Sequence, residues 1–441
     1  MLTRKKGLNW PKKLLLISLA VPFTANWAGD PVSFAGQDKI TATQLTIAVL
    51  QRNKSLSAMT AAWQAARARI ASARAFEDPI LSYTLAPDTQ NLAGQDLGQK
   101  IILSQKLPWP GKRGLQGEQA EQRANARKER ITLTSLALQE ESHRLYAEWF
   151  YIHEAIRINL VNRELWDEFR IIAELKYSTG QASRQDALQA AVEQVTLEHH
   201  AIVLQRRQHH IRARINHLLN HSPERRVPSP AGIEGPRALP DASVLRGRAM
   251  SSHPSILTLR AELQAQQAQT RLAKRNYFPD FKVSVGYNSL WAQQEKRNTI
   301  GVGLNLPLAW SKRKGDVDES KALARQLQWK LQDKLMEVAS KTQQAYDSIE
   351  ESHHAITLYR NKLVPLAEES LQAARSEYQF GKGDFLRLVS AEKSLMQTQL
   401  SWIRTQSEYH HRLAVLASRV GDSRIMTGEL AGKTDVEGVA R

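Results

Sequence analysis

The sequence predicts a mainly α protein with transmembrane β, built as a duplicated unit of helix, β-hairpin and long coiled coil. Three observations predict it: residue matches that recur in order at an offset of about 200, helical stretches almost free of Gly and Pro, and four short runs alternating apolar with polar residues.

The repeat comes first because it sets the frame. Asn53-Lys54-Ser55-Leu56 stands opposite His253-Pro254-Ser255-Ile256, and Pro79 in Asp78-Pro79-Ile80-Leu81 stands opposite Pro279 in Phe278-Pro279-Asp280-Phe281. Leu107-Pro108 answers Leu306-Pro307, Gly114 answers Gly315, and Tyr146 answers Tyr346. Tyr177-Ser178-Thr179-Gly180 answers Tyr378-Gln379-Phe380-Gly381. An ordered series with almost no insertions reads as internal duplication rather than chance resemblance between helical segments.

Each copy has the same internal order. A helix rich in Ala, Gln and Arg, about 43–76 and again 243–276, is ended by proline, which disfavours helical geometry in the residue before it. Two extended runs follow, about 79–86 and 99–107 in the first copy and 279–288 and 298–307 in the second. Then come coiled coils over about 115–222 and 316–420, each reversed at a Gly turn. Gly180 is the sole Gly or Pro between Gly117 and Pro223, so helices of roughly 60 and 40 residues are expected, far above the usual length. Leu165, Phe169 and Ile172, and again Tyr409, Leu413, Leu416 and Val420, keep one apolar stripe toward a partner helix. Pro365 is the one interruption, and a local kink is expected there. The organisation expected is a signal peptide at 1–28, a first repeat at 29–222, a Pro/Gly-rich linker at 223–242, a second repeat at 243–420 and a flexible tail at 421–441.

Composition narrows the function classes. The chain has 441 residues, no cysteine and a formal charge of +17. Absence of Cys excludes disulfides, thiolate chemistry, Cys-based zinc sites and a lipobox anchor. The Lys and Arg are dispersed among Glu and Gln along helices, which reads as solvated faces rather than a nucleic-acid footprint. Arg4, Lys5, Lys6, Lys12 and Lys13 precede the short apolar run Leu14 to Val21, the pattern of a secretory signal and too short to span a bilayer.

The extended runs decide how the chain meets a membrane. Leu81, Tyr83 and Leu85 alternate with Ser82, Thr84 and Ala86; Ile101, Leu103 and Leu107 alternate with Lys100, Ser104 and Lys106, with Ile102 and Gln105 breaking the pattern. Phe281, Val283, Val285 and Tyr287 alternate with Lys282, Ser284 and Gly286, and Ile300, Val302, Leu304 and Leu306 with Thr299, Gly301, Gly303 and Asn305. Runs of about 8–10 residues are close to the length of a tilted transmembrane strand. The pattern alone leaves two readings open, a lipid-facing hairpin pair and a soluble four-stranded sheet packed on helices. In the first reading four strands cannot enclose a useful lumen, and a homotrimer would supply a 12-stranded barrel without exposed edges.

The duplicated order resembles the TolC family of outer-membrane efflux proteins over nearly all of the mature chain. Its most telling local matches are Gln105-Lys106-Leu107-Pro108-Trp109-Pro110-Gly111-Lys112-Arg113 and Tyr277-Phe278-Pro279-Asp280-Phe281. The first of these resembles the heavy-metal, CzcC-like RND branch. The resemblance implies a trimeric passive exit duct, with a β-barrel in outer-membrane lipid above a periplasmic α-helical barrel, docking a periplasmic adaptor and an inner-membrane RND-type pump. It implies heavy-metal cations as a cargo class. It assigns Gly180, Gln181 and Ser183 with Gly381, Lys382, Gly383 and Asp384 to the adaptor-docking tip, although glycines there are equally what reversing a helix requires. It also places the pore constriction at Asp186 and Arg387. Family members carry aspartates after the turn, so Arg387 departs from the pattern, and a mixed ring held shut by ion pairs between helices is the expectation here.

No Gly-rich phosphate loop, HExxH or nucleophile elbow is present, and neither an enzyme nor a cofactor is expected. Of the thirteen His, His217 and His221 have the best metal-ligand spacing, but no metal site is assigned, since tight binding slows passage through a duct. His209-His210 and His410-His411 are repeat mates, as are His153 and His354, which favours a structural or surface role. The competing class is a periplasmic or soluble basic coiled-coil scaffold without a membrane barrel, which has no need of four lipid-facing strands.

Overall fold

The computed structural model describes residues 34, 36–87, 98–291 and 293–427; the expected signal peptide lies outside the described residues. In the first half, β1 (Lys39–Ile40), α1 (Ala42–Arg52), α2 (Lys54–Arg74), β2 (Ile80–Ala86), β3 (Gly98–Leu107), α3 (Lys112–Ser178) and α4 (Arg184–Leu218) follow in order. After β4 (Ser229–Pro230) the same order recurs as α5 (Ala242–Ser252), α6 (Pro254–Arg275), β5 (Phe281–Asn288), β6 (Asn298–Leu304), α7 (Trp310–Leu358), α8 (Val364–Gln379) and α9 (Phe385–Val420). α10 (Arg424–Thr427) closes the described chain.

Each opening helix, expected to be continuous, is two. Asn53 and His253, which are repeat mates, adopt extended backbone geometry, and each side chain accepts a hydrogen bond from the N–H two residues on, Ser55 and Ser255. A short polar side chain at that point satisfies an orphan amide and starts a new helix. Pro254, with no N–H to lose, follows as the first residue of α6.

The strands form one antiparallel sheet in the order β2-β3-β5-β6. Its register sets Leu81 opposite Leu103, Tyr83 opposite Ile101, Leu103 opposite Val285 and Val285 opposite Ile300. The alternating apolar residues of all four strands therefore share one face. The other face carries Ser82, Thr84, Lys100, Ser104, Lys282, Ser284, Gly286 and Gly301 in the same register.

α3 has 67 residues and runs about 100 Å. It packs against α2 and α6 near the sheet, against α4 along its lower length, and against α9. At mid-height Tyr146, Trp149, Ile152, Ile211 and Ile215 bury against α1. The linker is stitched into this layer rather than lying free: β4 pairs in parallel with β1, and the Trp149 indole N–H donates to the Pro228 carbonyl at 2.8 Å. The Arg237 amide donates to the Tyr409 hydroxyl at 3.0 Å, tying the linker to the second half as well. The expected kink at Pro365 takes the form of a π-helical turn, Tyr359–Leu363, directly before it. The wider turn absorbs the bond that proline cannot make, so the helix continues into α8. Part of the expected flexible tail is packed: Gly421 caps α9 in a left-handed conformation, and Ile425 of α10 is buried in the second-half core. Residues 428–441 lie outside the described residues.

The two sequence signatures at the strand–helix junctions meet. Lys112, the first residue of α3, donates through Nζ to the Phe278 carbonyl at 3.0 Å and to Asp280 Oδ1 at 2.7 Å. The same carboxylate oxygen accepts from the Trp109 amide at 2.9 Å, and the Trp109 ring stacks on Phe278 and Phe281. Burial acts to raise the Asp280 pKa, but the Lys112 and Trp109 hydrogen bonds and the Lys112 and Lys106 charges together hold it below the ordinary aspartate value. Removing one partner of a buried pair strands the other at a cost of about 3–5 kcal/mol. Lys112→Met is therefore expected to lower the thermal unfolding midpoint at neutral pH, and Lys112→Met with Asp280→Leu to recover much of the loss. Because the folded aspartate pKa is depressed, the pair's contribution is present at neutral pH and lost as pH falls through that lowered value. The gap between Lys112→Met and wild type should thus narrow in acid, as read by melting curves across pH.

Candidate functional site

Two regions carry the features that a transport role would use: the far end of the paired coiled coils and the apolar face of the sheet. At the far end both hairpins reverse by the same device. Gly180 (φ 72°) and Gly381 (φ 73°) sit one residue past the caps of α3 and α8. The Gln181 amide reaches back to Lys176 O at 2.7 Å and the Gly180 amide to Tyr177 O at 3.0 Å; Lys382 and Gly381 bond to Glu377 and Tyr378 in the same way. This is the Schellman closure, which needs a left-handed residue at the glycine. Each return helix is then capped by a side chain, Ser183 accepting from the Asp186 amide and Asp384 from the Leu386 amide, both at 3.3 Å. Gly383 has a separate reason: a Cβ there would lie 2.8 Å from Glu377 Cβ. The seven tip residues thus form two adjacent turns, with Gly180, Gln181, Ser183, Gly381, Lys382 and Asp384 exposed and Gly383 half-buried.

Asp186 and Arg387 are not joined within the chain. The Asp186 carboxylate accepts from the Ser183 hydroxyl at 2.7 Å, while Arg387, exposed in the first turn of α9, takes part in no ion pair among the described residues. The contact that does join the hairpin ends was not legible as a motif. Lys176 of α3 donates to the Tyr378 carbonyl and lies 4.5 Å over the Tyr378 ring, which packs on Phe385 at 5.2 Å. Desolvation, with the negative charges of Asp186 and Asp384, pushes the Tyr378 phenol up to about 12. Around this seam Trp166, Phe169, Ala190, Leu371, Leu388 and Val389 form a buried cluster shared by both hairpins. Exposed apolar side chains at the tips, among them Tyr177, Leu188, Phe380 and Leu386, were also missed, because single apolar residues in a helical run carry no positional signal.

At the sheet, the apolar face is bare: Ile300 is 82% and Val302 73% exposed, with Leu81, Tyr83, Ile101, Leu103 and Val285 also exposed. Contiguous exposed apolar surface of this kind marks a membrane or partner contact. Among the described residues no helix is long and apolar enough to cross a membrane.

The histidines divide. α4 ends at Leu218, so His221 lies past the helix, against the Arg52 guanidinium, and does not share a helix face with His217. His143 and His410 form a buried ring-to-ring hydrogen bond of 3.1 Å across the repeats. Desolvation lowers both, to about 3 and about 4, so both stay neutral. Among the described residues no group of three or more His, Asp or Glu is arranged to hold a metal ion.

The sheet with its one bare apolar face is thus set on coiled coils whose longest helix, α3, runs about 100 Å. Residues 245–422 match the family described as outer membrane efflux protein. A curated relative is the cobalt-zinc-cadmium resistance protein CzcC of Cupriavidus metallidurans, 23% identical over 168 residues, 38% of this chain and 40% of that protein. The matched stretch thus spans two fifths of that relative's length, 40%. In fold the chain is similar to the outer-membrane channel OprN, with a TM-score of 0.74 and 19% identity over 87% of this chain and 90% of that one. It is similar also to the open state of the Neisseria gonorrhoeae MtrE outer membrane channel, with a TM-score of 0.72 and 17% identity over 86% and 89%.

A β-carbon at either left-handed glycine introduces strain of about 1–3 kcal/mol. Gly180→Ala and Gly381→Ala are expected to speed amide exchange in their own turn by roughly tenfold or more, whereas Gln181→Ala, an exposed position, should change it little. Hydrogen-exchange mass spectrometry of segments 176–186 and 377–387 reads the difference.

Proposed function

We propose that the chain is the outer-membrane duct of a tripartite efflux system, a homotrimer that passes cargo without chemistry of its own. The observation that carries the reading is the four-stranded sheet: every alternating apolar residue lies on one exposed face, and β2 and β6 leave both edges open. Lipid does not tolerate open edges. Three copies joined β6 to β2 give twelve strands, with the lysines and glycines of the other face lining a wet lumen. The scaffold alternative gives no account of that bare face.

The coiled coils support the same assembly. Leu160, Ile171, Leu175, Val192, Val195 and Ile202 of α3 and α4 are exposed in a single chain, and a ring of hairpins in the periplasm would cover them with the neighbour's α8 and α9. The exposed tips, Gly180 to Ser183 and Gly381 to Asp384, are the surface we assign to an adaptor that links the duct to an inner-membrane RND-type pump. Asp186 and Arg387, set just inside the tips, are the residues we assign to the constriction, with pairing between neighbouring copies. Similarity to a cobalt-zinc-cadmium resistance protein points to divalent metal cations as cargo.

Purified from the outer-membrane fraction, the protein is expected as a cross-linkable trimer that conducts ions in planar bilayers; recovery in the soluble fraction overturns the reading. Arg387→Ala should raise conductance and antibiotic leakage severalfold, and unchanged conductance removes Arg387 from the gate. A strain lacking the chain should lose tolerance to Co, Zn or Cd salts more than to organic drugs; the reverse order assigns the cargo to drugs.

A further inference from the structure

The seam between the hairpins holds one acid too many. Glu392 of α9 is 1% exposed, and neither carboxylate oxygen has a hydrogen-bond partner of good geometry among the described residues. From α4 it faces Glu193, itself buried, which already binds Lys393 Nζ at 2.6 Å and the Gln189 amide at 2.8 Å. Lys393, beside Glu392 on its own helix, is thus already engaged by one buried carboxylate while lying near a second. From α3 the facing group is the Trp166 indole. Its neighbours Asp167 and Glu168 are bound elsewhere, to Arg170 at 2.9 Å and to Arg375 of α8 at 2.5 Å. The seam in which Glu392 lies carries a buried apolar cluster drawn from α3, α4, α8 and α9, with Phe169, Leu197, Leu371 and Leu388 among its members.

A carboxylate can stay in such a place only by keeping its proton, because an ionised group buried without partners is far more costly than a neutral one. The moving part is also present. α8 is joined to α7 through the π-helical turn Tyr359–Leu363 and Pro365, a weak point in an otherwise regular helix.

We propose that Glu392 is a proton-operated latch between the two coiled-coil hairpins: neutral, it lets α9 pack dry against α3 and α4; ionised, it draws water into the seam and releases the α8–α9 hairpin. Desolvation first, then the Glu193 charge, raises its pKa to about 7, against the opposing pull of the Trp166 indole and Lys393. Its folded pKa lies above the 4.5 of a solvated glutamate. The closed seam is therefore fully favoured in acid, loses that advantage progressively as pH rises to about 7, and changes little above it.

The latch does not rest on the duct reading, although its effect on passage does, so it is tested first without a membrane. Hydrogen exchange of the full chain in detergent, corrected for the intrinsic pH dependence of exchange, is followed in segments 160–175 and 385–400. Wild type should exchange at least about tenfold faster at pH 8.5 than at pH 5.5, and Glu392→Gln should hold the slow, acid-like rate at both. Glu392→Asp, which keeps the carboxylate, should keep the pH dependence. A flat wild-type profile, or a Glu392→Gln profile that follows wild type, overturns the proposal. Conductance in bilayers should then switch with the same midpoint and lose it in Glu392→Gln; a latch seen in exchange without any conductance removes the duct reading and leaves the latch standing.

Discussion

The buried contact between Lys112 and Asp280 is the constraint on which the rest of the molecule hangs. It sits where strand turns into helix, and it joins the junction of one repeat to that of the other. A lysine at the first position of a helix opposes the helix dipole, so Lys112 needs the Asp280 carboxylate and the Phe278 carbonyl to be held there. In return, the pair fixes the angle at which α3 leaves the sheet. A helix that long is a lever: a tilt of about 5° at its top moves its far end by roughly 9 Å. The tips can meet in register because the top is held by hydrogen bonds, an ion pair and stacked rings at once.

That same contact explains which parts of the fold could be read in advance. The strands were legible because period-two alternation is a direct imprint of a two-faced sheet, and the register puts Leu81, Leu103, Val285 and Ile300 side by side as that imprint requires. The two signatures around Trp109 and Pro279 were legible as motifs, though nothing in the sequence announced that they are each other's partners. The breaks at Asn53 and His253 were missed, since a capping side chain in a helical run looks like any polar residue until the backbone bends there. The packed linker and α10 were missed because Pro and Gly mark irregular backbone, not loose backbone. At the site, the tip glycines were plain from chain reversal alone. Glu392 was not, because burial at a seam between distant segments is a tertiary fact.

The repeats are equal in sequence order but not in environment, and the difference has a direction. Tyr177 and Tyr378 are mates in the same turn, yet the first is 48% and the second 4% exposed. The second hairpin buries its tyrosine against the first, under Lys176, whereas the first hairpin has its outer face bare. In a closed ring a neighbouring copy would fill that face, and the two tyrosines would become quasi-equivalent. Asp186 against Arg387 breaks the symmetry a second time, and the π-helical turn before Pro365, which has no counterpart in α3, a third. Each of these three differences involves the second hairpin or its contact with the first.

Buried polar groups are satisfied unevenly along the molecule, with atoms unpartnered among the described residues in both halves, Arg212 Nε and Asn216 Oδ1 of α4 included. At the strand–helix junction the buried ammonium and carboxylate have partners on both sides. In the second hairpin the Tyr378 hydroxyl, both oxygens of Glu392 and the Trp402 indole N–H are shielded from solvent without a hydrogen bond among the described residues. Each such group costs about 1–3 kcal/mol relative to a bonded or hydrated one. A seam carrying several of them gains little from staying shut, so a small bias suffices to open it, while the junction above resists the same bias. Rigidity at the sheet and slack at the tips are what the proposed duct would need if its far end is to open without its sheet coming apart.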